Sequence, residues 1–206
     1  MKERRKAYMA GLMDTDGCIG IYVENPVHPK YSWHISFTNK CKPVVEWVSE
    51  VFGGTVKKVT KDSEDYWTWK PQGAEHANRF IQQVYPFLTI KKKEADLVIQ
   101  YLALSGKRCP KDREILVSES KVLKKNRHLI TDELNLFSYK SNLVQAYLAG
   151  LVDSDGSVEI RPSEYDKITI KVANKYRPLL KELVINFGGY IQPKADNNYE
   201  WRSCSV

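Results

Sequence analysis

Tyr8-Met-Ala-Gly-Leu-Met-Asp-Thr-Asp-Gly17 and Tyr147-Leu-Ala-Gly-Leu-Val-Asp-Ser-Asp-Gly156 are one ten-residue pattern written twice. Tyr, Ala, Gly, Leu, both Asp and the closing Gly recur at the same offsets. A repeat at this spacing decides the architecture before any local propensity does. Each copy reads as a short helix ended by a glycine in a left-handed cap, Gly17 or Gly156. Small residues follow the i, i+4, i+8 stripe in both: Ala7, Gly11, Thr15 and Ala146, Gly150, Ser154. A mid-helix Gly costs about 1 kcal/mol against Ala, and close backbone approach is the natural compensation. The two helices are therefore expected to pack on each other, with Asp16 and Asp155 emerging side by side.

That placement is unfavourable for carboxylates, because a helix C-terminus already carries partial negative charge. Asp14, Asp16, Asp153 and Asp155 gathered there would need protons or a cation, and oxygen-only ligands suit a hard divalent ion. The competing reading is two ordinary Asp-x-Asp-Gly turns. An EF-hand loop does not fit, since neither copy continues with the further acidic ligands it requires.

The likeness extends beyond the motifs. Asn39-Lys-x-x-Pro through Phe52-Gly-Gly54 aligns without a gap on Asn174-Lys-x-x-Pro through Phe187-Gly-Gly189. After Gly17, residues 18–24 have strand composition, and Asn25-Pro26 with His28-Pro29 breaks it. Tyr31 to Thr38 alternates apolar Tyr31, Trp33, Ile35 and Phe37 with polar partners, so one face packs and the other meets solvent or a ligand. A helix over Pro43 to Phe52 precedes strands 55–60 and 66–70, joined by a polar loop from Lys61 to Asp65. Helices follow over Ala74 to Tyr85 and Lys91 to Ser105. The second copy repeats the plan with strands 157–161 and 167–173 around a turn at Pro162 to Asp166. A helix over Pro178 to Phe187 and a hairpin from Tyr190–Gln192 to Tyr199–Trp201 complete it. Between the copies, Asp112 to Lys125 reads as a helix and Asn126 to Ser141 as a polar connection. The charge run Lys121 to Arg127 reads as a wet helix face.

The expected fold is thus α+β: two pseudo-symmetric αββαββ subdomains forming a saddle of two antiparallel sheets joined at a motif helix pair. Residues 1–105 form the first repeat, 106–142 a helical linker and 143–206 a shortened second repeat. Net charge is +7 with a pI of about 9.1, which leans toward an anionic partner. No apolar run approaches the about 18 residues that span a bilayer, and the charged start has no signal-peptide core, so an intracellular protein is expected. Cys18, Cys41, Cys109 and Cys204 and the four histidines share no metal-ligand spacing, which leaves carboxylates as the candidate ligands.

The doubled Tyr-x-Ala-Gly-Leu-x-Asp-x-Asp-Gly segments resemble the signature of the LAGLIDADG homing endonucleases in their single-chain, two-motif form. The resemblance implies hydrolysis of both strands of duplex DNA across the minor groove with a divalent metal, Mg²⁺ or Mn²⁺, held by Asp16 and Asp155. It assigns Asp14 and Asp153, with Gly11 and Gly150, to the structure of the helix pair, and solvent ordering to Asn39 and Asn174. Pro86-Phe-Leu-Thr-Ile-Lys91 matches the family's basic residue, so Lys91 would stabilise the charge that builds at phosphorus. Strand alternation places Ser32, His34 and Ser36, and Lys167, Thr169 and Lys171, on the groove-facing surface. Lys57 and Gln192, Glu159 and Arg161 extend it. The two unlike sets imply a long, non-palindromic double-stranded target read by a monomer. The second copy has no counterpart of residues 74–105 and hence no second Lys91. An RNA-binding intron maturase, or a non-cleaving DNA-binding protein, are the alternatives on the same scaffold.

Overall fold

The computed structural model describes residues 2–25, 30–104, 110–126, 141–161 and 167–204. The turns expected at 26–29 and 162–166 and the connection at 127–140 lie outside the described residues. So do Cys109 and the side chains of Arg161 and Lys167. No described helix is long and apolar enough to cross a membrane. Seven α-helices and eight strands are described, and the chain divides into two compact units, residues 12–127 and residues 1–11 with 128–206.

In the first of these units, β1 (Gly17–Asn25), β2 (Lys30–Asn39), β3 (Thr55–Lys61) and β4 (Glu64–Lys70) form an antiparallel sheet ordered β1-β2-β4-β3. Its register pairs Ile19 with Ile35, Ile21 with Trp33, and Phe37 with Trp69, so these side chains share one face. That face is the core: Ile19, Ile21, Ile35, Phe37 and Trp69 are all buried. Helices α2 (Lys42–Phe52), α3 (Gly73–Val84) and α4 (Lys92–Ala103) cover it, with Phe80 of α3 stacking between Phe52 and Trp69. The Lys61 to Asp65 loop is shorter than the sequence suggested. Asp62 and Ser63 alone make the turn, both at positive φ (52° and 65°), because two left-handed residues match the twist of the paired strands.

In the second unit, β5 (Gly156–Arg161), β6 (Lys167–Asn174), β7 (Tyr190–Pro193) and β8 (Tyr199–Cys204) repeat the order as β5-β6-β8-β7, with α7 (Arg177–Phe187) packed on it. The repeat reaches atomic detail. Gly53 and Gly188 both close their helices at positive φ (74° and 70°), and each donates its N–H back into the helix. Each also offers its carbonyl to a tryptophan indole, Trp69 at 2.6 Å and Trp201 at 2.8 Å. The cover differs. Val158 and Ile160, the counterparts of Ile19 and Ile21, are 64% and 65% exposed.

The motif helices are α1 (Glu3–Thr15) and α6 (Ser141–Asp155). Gly17 and Gly156 do not cap them in the left-handed region; each opens a strand instead. The requirement for glycine is steric: a Cβ on Gly17 would lie 2.5 Å from Met13 Cα, and one on Gly156 would overlap the Val152 carbonyl. The expected contact of the small-residue stripe does form. A Cβ on Gly11 would overlap the Tyr147 carbonyl oxygen and reach 3.0 Å from Leu151 N, both backbone atoms of α6. Gly150 is buried as well. Gly11→Ala is accordingly expected to cost about 3 kcal/mol, read as a lower denaturant midpoint, because two backbones have to separate.

A second stability prediction arises on α7. Glu182 is buried, its Oε2 has no hydrogen-bond partner among the described residues, and burial raises its pKa. An acid whose native pKa lies above its unfolded value binds its proton more tightly when folded. It therefore costs stability above that unfolded pKa, most fully at neutral pH. Glu182→Met is expected to raise stability at pH 7 by about 1 kcal/mol, with the gap to the native chain narrowing as pH falls. Melts at a series of pH values check it.

Candidate nuclease site and nucleic-acid interface

An aspartate at the end of each motif helix, Asp16 just after α1 and Asp155 closing α6, is gripped by an asparagine from the second strand of its sheet. Asn39 Nδ2 donates to Asp16 Oδ2 at 2.8 Å, and Asn174 Nδ2 donates to Asp155 Oδ2 at 2.8 Å. The asparagines are themselves fixed. Asn39 Oδ1 accepts the Cys41 N–H and Asn174 Oδ1 accepts the Tyr176 N–H, both at 2.8 Å, so each amide is held in a local turn. The sequence placed all four residues; the pairing explains why Asn stands where each second strand ends. Asp16 has a raised pKa because burial disfavours its charge, opposed by the Asn39 hydrogen bond and the Lys91 ammonium.

The first motif aspartates take different jobs in the two copies. Asp14 is buried and accepts the backbone N–H groups of Thr89, Ile90 and Lys91 and the Thr89 hydroxyl, at 2.8–3.2 Å. Asp153 is exposed and accepts the Tyr8 hydroxyl at 2.7 Å, a tie from α6 to α1. Lys91 is buried beside Asp14, and its ammonium donates to the carbonyls of Met13 (2.7 Å), Thr15 (2.8 Å) and Gly17 (2.5 Å). The Met13 and Thr15 carbonyls are ones that the end of α1 leaves without helical partners, and Gly17 opens β1, so Lys91 caps the motif helix where it turns into the strand. Its effect on Asp16 is electrostatic and comes from within the protein.

The residues expected to read a groove do fall on one face of each sheet. Ser32, His34 and Ser36 lie opposite Tyr22, Gly20 and Cys18 across β1–β2, and Lys57 lies opposite Thr68 on β4. Their availability differs. Lys57 is exposed and Ser32 half-buried, while Ser36 is buried and bonded to His34 Nε2 at 2.9 Å. Burial, then Lys70 and Lys124, lower the His34 pKa, so its ring is neutral at pH 7. In the second sheet Glu159 and Lys171 form an ion pair, Gln192 donates to Glu200 at 3.0 Å, and Thr169 is buried. Arg161 and Lys167 pair in register at the far end of β5–β6. Arg202 belongs to this face too, paired in register with Lys171 and Tyr190 and bonded to Glu200. The reading from sequence ended β8 at Trp201 and so missed it; one further step of alternation would have found it.

No family model and no curated protein sequence matches the chain. Solved structures do. The I-SmaMI structure, bound to an uncleaved DNA target in the presence of calcium ions, matches with a TM-score of 0.74 at 18% identity, covering 97% of this chain and 79% of that one. The I-LtrWI LAGLIDADG homing endonuclease bound to target DNA matches at 0.72 and 15%, covering 98% and 79%. I-AabMI, a LAGLIDADG meganuclease bound to uncleaved DNA, gives 0.66 and 17%, covering 96% and 78%. At identities of 15–18% these likenesses speak for the fold: the chain is folded as a LAGLIDADG homing endonuclease, with both motifs in one polypeptide.

Proposed function

We propose that the chain is a site-specific endonuclease that hydrolyses phosphodiester bonds in both strands of duplex DNA. The observation that carries this reading is the matched pair of asparagine-held aspartates, Asp16 with Asn39 and Asp155 with Asn174. Two ordinary turns would not need the same second-strand amide to aim the same carboxylate oxygen. The neighbours in fold that carry DNA, and the net charge of +7, support a duplex as the partner. A maturase would keep the surface without using Asp16 and Asp155, so the paired geometry favours the nuclease.

The donor set fits a divalent cation of the Mg²⁺ kind, with Mn²⁺ as its substitute. Among the described residues no three acidic, histidine or cysteine side chains gather, and Mg²⁺ is characteristically bound by one or two carboxylates with water and substrate phosphate completing its shell. Asp16 and Asp155 would hold it. A cation so bound supplies charge against the leaving oxygen and makes water more acidic. The protein's own contribution is orientation. Asn39 and Asn174 each hold one oxygen of an aspartate and so fix how its carboxylate is turned, while Lys91 keeps the end of α1 closed. The dissimilar faces, with Ser32, His34 and Ser36 against Lys167, Thr169 and Lys171, suit one copy of the chain on a non-palindromic site.

The test is incubation with a randomised duplex library, with Mg²⁺ or with chelator, followed by sequencing of cut ends. Cut products should enrich one long, asymmetric sequence in Mg²⁺ only. Uniform recovery in both tubes, or cutting in chelator, would contradict the reading.

A further inference from the structure

Helix α5 (Pro110–Asn126) belongs to neither copy of the repeat, yet it is registered on the first sheet. The fully buried Ser120 hydroxyl accepts the Ile21 N–H at 3.3 Å, so α5 shields the open edge of β1. Four residues on, and so on the same helix face, comes Lys124. Its ammonium lies 3.8 Å from the centre of the Tyr22 ring and donates to the Tyr22 hydroxyl. Gly20 leaves the space for it: a Cβ there would stand 2.6 Å from Lys124 Nζ and 3.4 Å from Ser120 Oγ. Tyr22 in turn meets His34 edge to face at 5.6 Å, and His34 bonds Ser36. Gly20, Tyr22, His34 and Ser36 all lie on the polar face of the sheet.

We infer that Lys124 is a positioning residue for base recognition: it reaches through the gap at Gly20 to lock Tyr22 against His34, making the linker helix part of the reading surface. This rests on the proposal that the polar face meets duplex DNA. Among the described residues the second sheet shows no such device. Glu159 stands at the position equivalent to Gly20, and it pairs with Lys171 within the sheet. Recognition by the first half then depends on a helix outside the repeat.

Two variants of the full chain separate this from a simple phosphate contact. Lys124→Met removes the charge, whereas Gly20→Ala keeps it and evicts it from the slot. Both are expected to change base preference about tenfold at the same one or two positions of the selected duplex, with the salt dependence of binding unaltered. A uniform affinity loss in Lys124→Met with a salt slope reduced by about one, and a silent Gly20→Ala, would overturn the inference. A second readout needs no DNA. Lys124 depresses the His34 pKa, so NMR titration of His34 should move upward in both variants. An unmoved His34 overturns the positioning role. A moved His34 in a chain that binds no duplex would sink the proposed function and the recognition role with it, while leaving the contact itself standing.

Discussion

Asp16→Asn is expected to lower cleavage at least about a hundredfold while leaving duplex binding intact, and Asp155→Asn to do the same. Asparagine keeps the shape, and its carbonyl can still accept the Asn39 amide that now holds Asp16 Oδ2. What disappears is the charge that would hold a cation. Binding should hold or tighten, because a negative group near phosphate has been removed. Stability supplies a control with a definite sign. Burial raises the Asp16 pKa above that of an ordinary aspartate, so the charged form is penalised in the folded state. That penalty is complete above the native pKa and disappears below the unfolded one, so Asp16→Asn should melt no lower than the native chain at pH 7. A variant that loses cleavage because it unfolds would show the opposite. Cleavage measured on a fixed duplex, beside thermal melts, separates these outcomes.

Lys91→Met should be the most destabilising single change at the site, at about 3–5 kcal/mol. Methionine fills the volume but returns nothing to the carbonyls of Met13, Thr15 and Gly17, which all accept from the ammonium now. A second consequence is electrostatic. Lys91 is one of the influences lowering the Asp16 pKa, so its loss drives the metal-free pKa further up. Denaturant melts should show a lower midpoint at unchanged slope. A midpoint that stays put would mean that the three carbonyls are satisfied without Lys91.

The parts of this molecule that were legible in its sequence are those encoded locally or twice. The motif pair gave the two helices, and the aligned stretches from Asn39 and Asn174 gave the second-strand asparagines and both Phe-Gly-Gly caps. Period-two alternation in Tyr31 to Thr38 sorted the faces of β2 correctly, because one face is buried under helices. What escaped depends on contacts between distant residues. Asp14 reaches Thr89 and Lys91, and Ser120 reaches Ile21 across 99 positions. Neither carries a local pattern. Lys91 looked like a basic residue pointed at phosphate, yet burial turned it toward the end of α1. Lys124 was one letter in a charge run, and only the slot at Gly20 distinguishes it from Lys121 and Lys125. Gly17 and Gly156 suggested left-handed caps, since a glycine after a helix usually is one; here close backbone passage is the cause.

The account depends most on Asp16 and Asp155 being metal ligands. The direct measurement is a crystal of the chain with its selected duplex and Mn²⁺, with the metal located by anomalous scattering. Manganese density within coordination distance of Asp16 and of Asp155, lost from the matching aspartate in each Asn variant, is the expected result. Strong density only at other residues, or none in a crystal whose DNA has been cut, would contradict it.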